Sequence, residues 1–239
     1  MRRRFFVEKF TGQSAVVEGD TAHHLGRVLR AQPGQLYELS DGTAVWLGRI
    51  EVVARDRVEF ALLEEIPSQQ PSVDLILLLS IVKFDAFEWA LEKATELGVA
   101  LIVPVAAGRS EKALLAASEK RSDRWRKLLV EASQQSRRVR VPVLGSPMRP
   151  DRAFQEAHTL GPKILLSERS DAPPLREVLS SASVSQASLA IGPEGGWTDQ
   201  EFAEAAEAGF REASLGKLIL RTETAVIAAL ASLNYALGR

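Results

Sequence analysis

The sequence lacks cysteine altogether and contains only three histidines. Without cysteine, the chain has no disulfide framework, no thiolate nucleophile and no cysteine-ligated metal or iron–sulfur cluster. Two of the histidines, His23 and His24, are adjacent, and neighbouring side chains point in different directions on a helix or strand. They are therefore poor partners in a chelate, and we expect no metal site.

Long hydrophobic runs are also missing. The longest apolar run, LILLLSIV at residues 75–82, is far too short to span a bilayer, and we interpret it as a strand buried on both faces. The N-terminus, MRRRFFVEKF, is basic but lacks the apolar segment of a signal peptide. These features predict a cytoplasmic protein with no membrane partner.

The net charge of −1 conceals a local excess of basic residues. Between residues 109 and 140 there are ten lysines and arginines against four acids. Such a segment is typical of a surface that binds a polyanion, but it is equally typical of a solvated helix face. Charge alone leaves both interpretations open.

The distribution of apolar residues divides the chain in two. Up to about residue 66, short strand-like runs alternate with turns and with one helical insert near residues 21–30, which predicts a small β-barrel-like domain. The segment PSQQPS at 67–72 has the composition of a linker. From residue 73 onward strands alternate with helices, which predicts a mostly parallel sheet with helices on both faces. We therefore predict domains of residues 1–70 and 71–239.

Two features of the predicted helices bear on the site and on assembly. Asp85 with Glu88, and Thr198 with Glu201, have the spacing of capping boxes at helix starts. The last helix, predicted over residues 222–237, is apolar almost all round. Such a helix is buried on both sides, so we expect its own sheet on one side and the second subunit of a homodimer on the other.

Three segments in the last third of the chain carry the strongest functional signal. They are LLSER at 165–169, IGPEGGWTDQE at 191–201 and LGKLILRTETA at 215–225. Each follows or contains a strand-like run, and ligands of parallel sheets bind beyond the carboxyl ends of the strands. Glycine at such turns exposes main-chain N–H and C=O groups. The three segments therefore predict a deep pocket for a small cofactor.

These segments resemble those of the RsmE-type 16S rRNA uridine-N3 methyltransferases, a branch of the SPOUT methyltransferases. The similarity extends over nearly the whole chain and includes HHLGRVLR at 23–30, KFDAFEWALEKATELGV at 83–99 and SRRVRVP at 136–142. IGPEGG and LGKLILRTETA, in this order and at this separation, are its most specific part.

The resemblance implies an N-terminal PUA-like RNA-binding domain and a C-terminal α/β SPOUT domain. In that fold the chain near the cofactor, S-adenosylmethionine, forms a trefoil knot. The resemblance also implies a homodimer with its active site near the subunit boundary, and methylation of uridine 1498 in the 16S rRNA of the small ribosomal subunit.

The chain departs from the family pattern at one place. Where the family usually has Glu-Gln before small residues and an arginine, this sequence has Gln134 and Gln135, followed by Ser136, Arg137 and Arg138. No carboxylate is therefore available at position 134, and Arg137 strengthens the local positive field.

The resemblance assigns the cofactor site to the three segments. Its expected residues are Leu166, Ser167, Glu168, Ile191, Gly192, Pro193, Glu194, Gly195, Gly196, Leu215, Gly216, Leu218, Ile219, Leu220 and Arg221.

Methylation at uracil N3 requires loss of the N3 proton, which spreads negative charge over O2 and O4. Arg221 is our candidate for stabilising that charge, and Glu194 and Glu223 are further catalytic candidates. Either acid is equally compatible with a favourable charge at the start of a helix.

Basic residues outside the pocket are the candidates for RNA binding. They are Arg2, Arg3, Arg4, His23, Arg27, Arg30, Lys83, Arg137, Arg138 and Arg169. Two alternatives to the uridine-N3 enzyme remain open. One is a SPOUT ribose 2′-O methyltransferase, and the other is a non-catalytic RNA-binding factor in ribosome assembly.

Overall fold

The computed structural model describes residues 3–68, 71–157, 159, 161–179 and 184–237. The chain divides into two compact units, one of Met1–Gln70 with Ser133–Val141 and one of Pro71–Ala132 with Pro142–Arg239. The segment Ser133–Val141 thus belongs to the N-terminal unit. The predicted division into residues 1–70 and 71–239 assigned this segment to the second domain.

The N-terminal unit is built on one six-stranded sheet. Its strands are β1 (Arg4–Phe6), β2 (Phe10–Thr11), β3 (Ser14–Glu18), β4 (Leu36–Ser40), β5 (Val45–Val53) and β6 (Arg57–Glu65). They pair in the order β1-β4-β5-β6-β3-β2, antiparallel except for β1 with β4. A closed barrel would require β1 to pair with β2, but the pairings among the described residues leave these strands at the two edges.

The helical insert packs onto the core of this sheet. It consists of α1 (Gly19–His23) and a π-helical turn over His24–Val28, and it begins and ends two residues before the predicted helix 21–30. It ends there because Arg30 adopts a left-handed backbone with φ 51°. Leu25 is fully buried with Phe5 and Phe60, so the insert completes the hydrophobic core.

The second unit is an α/β domain. Its strands are β7 (Asp74–Ser80), β8 (Val99–Val105), β9 (Val143–Leu144), β10 (Lys163–Leu166), β11 (Gln186–Ile191) and β12 (Arg211–Ala213). Its helices are α2 (Phe84–Glu96), α3 (Lys112–Ser118), α4 (Ser122–Gln135), α5 (Pro150–Glu156), α6 (Leu175–Val178), α7 (Asp199–Glu207) and α8 (Thr222–Leu237). A 3-10 turn over Glu119–Arg121 joins α3 to α4.

All pairings in this second sheet are parallel, and the strand order is β12-β10-β11-β7-β8-β9. The predicted parallel sheet is therefore confirmed. β7 contains most of LILLLSIV, and Leu77, Leu78 and Leu79 are buried although successive side chains point to opposite faces. The apolar run thus marks a strand covered on both sides.

The segment that follows α4 is held by the N-terminal unit through a buried ion pair. Arg4 lies 2.9 Å from Glu38, both side chains are less than a tenth exposed, and the Arg4 guanidinium also donates to the main-chain carbonyl of Arg137. The Ser40 hydroxyl donates to the carbonyl of Val139. Arg137 adopts a left-handed φ of 56°, and the N–H of Arg138 bonds the carbonyl of Ser133 at 3.0 Å, which ends the helix.

Only one of the two predicted capping boxes forms. Thr198 and Glu201 cap α7 reciprocally, as predicted. The Asp85–Glu88 prediction is wrong, because α2 begins at Phe84 and its N-cap position is Lys83. The Glu88 carboxylate instead accepts hydrogen bonds from Arg121 at 3.0 Å and Arg124 at 2.7 Å, so it joins α2 to the α3–α4 region.

This arginine pair makes the stability of the protein depend on pH. The hydrogen bond from Arg124, helped by Arg121, holds the pKa of Glu88 below its ordinary value, although burial opposes the shift. A carboxylate with a lowered folded-state pKa stabilises the fold above its unfolded-state pKa of about 4.3, and this contribution is lost as the pH falls through the folded-state value. We therefore expect Glu88→Gln to lower the free energy of unfolding at pH 7, and the difference from wild type to shrink below about pH 4.

Urea denaturation at several pH values measures this difference. The matched control is Glu156→Gln, which removes a carboxylate from an exposed pair with Arg152 and should change stability little at either pH. A Glu88→Gln deficit of the same size at pH 3 and pH 7 would contradict the ion-pair account.

Two features are absent from the residues that the structure describes. No helix there combines the length and the apolar character needed to cross a membrane. Nor do three or more histidine, aspartate or glutamate side chains come close enough in those residues to hold a metal ion.

Candidate cofactor and active site

The three segments singled out in the sequence meet at one edge of the second sheet. LLSER follows β10, IGPEGG follows β11 and LGKLIL follows β12, and β10 lies between the other two strands. Because these neighbouring strands are parallel, their carboxyl ends lie side by side. The three loops enclose a cavity of about 320 Å³, large enough for much of a small cofactor.

Most of the predicted cofactor residues line this cavity. Gly195 and Arg221 lie outside its lining, whereas the others belong to it: Leu166, Ser167, Glu168, Ile191, Gly192, Pro193, Glu194, Gly196, Leu215, Gly216, Leu218, Ile219 and Leu220.

The cavity also contains residues outside the predicted cofactor set. Trp197 and Asp199 belong to the predicted segment 191–201, and Phe202 lies three residues after Asp199 in α7, on the same side of the helix. Arg109 comes from the loop after β8, a strand separated from β11 by β7. Only the tertiary structure brings that loop to the cavity. The remaining lining residues outside the predicted cofactor set are Arg169, Lys217, Thr222 and Ala225.

The glycine loop after β11 has two positions where an added Cβ would lie very close to a neighbouring side chain. The N–H of Gly196 closes a turn onto the carbonyl of Pro193 at 2.8 Å, with a left-handed φ of 69°. A Cβ at Gly196 would lie 2.9 Å from the Glu168 carboxylate, and one at Gly192 would lie 3.1 Å from the indole of Trp197. The close approach favours glycine at both positions, and the left-handed backbone favours it further at Gly196.

Hydrogen bonds tie this loop to its neighbours. The indole N–H of Trp197 donates to the carbonyl of Leu166 at 3.2 Å, which joins the end of β10 to the glycine loop. Arg109 donates to the carbonyl of Gly195 at 2.7 Å. The loop is therefore fixed by main-chain acceptors on two sides.

Arg169 is positioned by its own neighbours within the cavity wall. Its guanidinium pairs with Asp199 and lies 3.6 Å from the ring centroid of Phe202. We predicted this arginine as an RNA ligand, but its ion pair and its stacking hold it against the start of α7.

The three catalytic candidates lie at different places around the cavity. Glu194 lines it and is exposed. Arg221 is exposed directly before α8, and its side chain makes no hydrogen bond or ion pair with a described residue. Glu223 is half-buried in the first turn of α8, outside the lining. Thr222, between them, lines the cavity.

The structure distributes the predicted RNA-binding residues unevenly. The sequence analysis counts Arg4 among the basic residues that bind RNA. Arg4 is instead buried against Glu38, so it does not belong to an exposed basic surface. Arg2 lies outside the described residues. His23 and Arg138 are half-buried, and the exposed members are Arg3, Arg27, Arg30, Lys83, Arg137 and Arg169.

Comparison with known families defines the class of protein. A family model described as an RNA methyltransferase domain matches residues 68–234, and one described as an RNA methyltransferase PUA domain matches residues 17–63. The fold and the loop-lined cavity are thus those of an RNA methyltransferase with an accompanying PUA domain.

Individual relatives agree with this class. The chain is 34% identical to the ribosomal RNA small subunit methyltransferase E of Synechocystis, over 89% of this chain and 70% of the relative. It is 32% identical to the protein of the same name from Mycobacterium bovis, over 98% and 92% of the two chains. The chain therefore belongs to the RNA methyltransferase family that includes the ribosomal RNA small subunit methyltransferase E proteins.

Solved structures extend the comparison to three dimensions. The enzyme of this name from Neisseria gonorrhoeae, bound to S-adenosyl methionine, is 31% identical with a TM-score of 0.89, over 100% of this chain and 99% of that one. A Legionella pneumophila methyltransferase in complex with the same cofactor is 28% identical with a TM-score of 0.90, at the same coverage.

Proposed function

We propose that the protein transfers a methyl group from S-adenosylmethionine to N3 of a uridine, uridine 1498, in the 16S rRNA of the small ribosomal subunit. The observation that carries the proposal is the convergence of three loops, from the adjacent strands β12, β10 and β11, on one cavity. Relatives named ribosomal RNA small subunit methyltransferase E support the substrate. That substrate is cytoplasmic, so the protein acts there.

The residues present suit this cofactor. At Gly196 a Cβ would lie against the Glu168 and Arg109 side chains that line the cavity, so its absence leaves the main chain of the glycine loop accessible to a flat ligand. Leu215, Gly216, Leu218 and Leu220 offer backbone groups and aliphatic surface to an adenine on the other wall. When bound, S-adenosylmethionine supplies an electrophilic methyl group on a sulfonium.

Side chains of the protein then have to accept a proton and stabilise a negative charge. Accepting a methyl group at N3 would require the uracil to lose its N3 proton, so the site would have to take up that proton and balance the negative charge left on the ring. Arg221 stabilises the charge on the uracil oxygens, since it is exposed and directly precedes Thr222, which lines the cavity. Glu194, in the cavity, accepts the proton, and Glu223 is the second candidate for that role.

The exposed arginines of the N-terminal unit bind the rRNA backbone in this proposal. We expect Arg27→Glu combined with Arg30→Glu to weaken rRNA binding by at least tenfold near 0.1 M salt, because each change replaces a phosphate-neutralising charge with a repelling one. The slope of affinity against salt concentration should flatten as well. Filter binding at several salt concentrations measures both effects.

The control in that experiment is the cofactor affinity, which these substitutions should leave unchanged. A second control is the double variant Arg49→Glu with Arg57→Glu. It reverses the charge of two exposed arginines of the N-terminal unit that already pair with acids. Equal loss of rRNA affinity in the two double variants would show that net charge, not this surface, governs binding.

We further propose a homodimer and a trefoil knot for this chain. On α8, Val226, Leu230 and Leu233 are buried, whereas Ala231 is exposed and Tyr235 is 92% exposed, which leaves an apolar outer side for a second subunit. Light scattering at micromolar concentration should report a dimer, and a monomer would refute it. The knot is what the resemblance to the SPOUT methyltransferases implies, and the chain trace of a crystal structure tests it.

Nucleoside mass spectrometry tests the proposed activity. The purified protein, rRNA or small subunits from a strain without the enzyme, and labelled cofactor should yield N3-methyluridine after digestion. A 2′-O-methylated nucleoside would identify a ribose methyltransferase. No methylation together with retained RNA binding would identify a non-catalytic assembly factor.

A further inference from the structure

A carboxylate and a guanidinium flank the same glycine in the cavity wall. A Cβ on Gly196 would lie 2.9 Å from Oε1 of Glu168 and 3.8 Å from Nη1 of Arg109. Both side chains line the cavity and are exposed to it. Yet the ion pairs of the described residues do not include one between Arg109 and Glu168, so neither charge neutralises the other by direct contact.

Arg109 and the residue before it donate two hydrogen bonds that hold this loop in place. The Arg109 guanidinium donates to the carbonyl of Gly195 at 2.7 Å, and the N–H of the preceding Gly108 donates to Oε1 of Glu201 at 2.8 Å. Glu201 is only 5% exposed, and its other oxygen is fixed by the N–H and hydroxyl of Thr198. The capping box of α7 therefore also fixes the loop that carries Arg109.

The other charged groups of the cavity are already assigned or are less suited to bind the methyl donor. Glu194, which is exposed in the lining, is the proposed acceptor of the uracil N3 proton. Arg169 and Asp199 pair with each other. Lys217 lines the cavity, but no described residue fixes its ammonium. Arg109 uses one of the five N–H donors of a guanidinium on the described residues, which leaves a planar donor set for a carboxylate.

We infer that Arg109 and Glu168 form the subsite for the amino-acid end of the methyl donor, with Arg109 binding its carboxylate and Glu168 its ammonium. The inference rests on the proposed function. A zwitterion requires one cation and one anion at short separation that are not bonded to each other, and the two sides of Gly196 offer that arrangement. The subsite anchors the donor from the end opposite its adenine.

Two donors that differ only in the carboxylate test this assignment. Isothermal titration calorimetry compares S-adenosylmethionine with decarboxylated S-adenosylmethionine, which keeps the sulfonium and the amine. We expect the wild-type protein to prefer the intact donor by at least about tenfold, as a charge-assisted hydrogen bond to a carboxylate implies. Arg109→Gln should abolish the preference, and Arg109→Lys should retain part of it.

The ratio of the two affinities separates this role from a structural one. Arg109 also holds the glycine loop, so losing that contact weakens both donors by the same factor and cancels in the ratio. Arg169→Gln is the matched control: it removes another cavity arginine and should leave the ratio at the wild-type value. Glu168→Gln should weaken both donors equally, because both carry the amine.

The outcomes of this experiment distinguish the assignment of Arg109 and Glu168 from the proposed function on which it rests. If Arg109→Gln keeps the wild-type preference, or if Lys217→Gln rather than Arg109→Gln removes it, the assignment is wrong although the cofactor site stands. If the folded wild-type protein binds neither donor, the proposed function itself fails.

Discussion

Gly196→Val is expected to reduce the affinity for S-adenosylmethionine by about a hundredfold or more, with the protein still folded. Two physical effects combine. The left-handed backbone of Gly196, with φ 69°, costs a residue with a Cβ about 1–2 kcal/mol. The added Cβ would also lie 2.9 Å from the Glu168 carboxylate, so the loop or Glu168 must move. Either movement alters the wall of the cavity, and calorimetry measures the loss.

A second glycine provides the control for backbone strain. Gly209, after α7, has a left-handed φ of 85°, but a Cβ there would meet no atom within 4 Å. Gly209→Val should therefore lower thermal stability through the same backbone strain while the cofactor binds with wild-type affinity. If both variants lose affinity alike, the effect of Gly196→Val arises from general destabilisation and not from the shape of the cavity.

Arg221→Ala is expected to reduce kcat by about 10²–10³-fold, the usual effect of removing one group that stabilises developing charge. The cofactor Kd should change by less than about threefold, because Arg221 lies outside the lining of the cavity. The substitution should affect the rate and not cofactor binding, because the uracil carries negative charge for the guanidinium to stabilise only as the N3 proton leaves. Single-turnover methylation and calorimetry measure the two quantities separately.

Two further variants sharpen this prediction. Arg221→Lys keeps a cation and should recover part of the lost rate. Arg149→Ala removes an exposed arginine that pairs with Asp151, and should leave both rate and affinity unchanged. Equal losses of rate and cofactor affinity in Arg221→Ala would reassign this arginine to cofactor binding. A wild-type rate would remove it from the mechanism.

Local sequence patterns predicted most elements of the second unit. The last helix was predicted over 222–237 and occupies Thr222–Leu237, because its apolar residues recur with helical spacing. Thr198 and Glu201 formed their capping box because both partners lie within one turn. The same spacing at Asp85 and Glu88 failed because α2 begins at Phe84 and Asp85 is not at the N-cap position, and two arginines distant in sequence bind the Glu88 carboxylate.

Long-range pairing also explains the error at Arg4. A run of arginines near a terminus is typical of a solvated surface, and nothing in its spacing indicates burial. Arg4 is buried because parallel pairing of β1 with β4 sets it opposite Glu38. Arg4 of this pair also donates to the main-chain carbonyl of Arg137 and so binds the segment Ser133–Val141. The place of this segment in the N-terminal unit therefore depends on residues far away in the chain.

The sequence by itself determined the parallel sheet, the three glycine-bearing or strand-following loops and the family, because each depends on residues that are close together along the chain. The tertiary structure decided which loops share the cavity, that Arg109 reaches the glycine loop from the end of β8, and that Arg4 is buried. The physical reason is the order of the strands. Neighbours in a parallel sheet are joined by long crossovers, so the residues that meet at its carboxyl edge leave no periodic signal in the sequence.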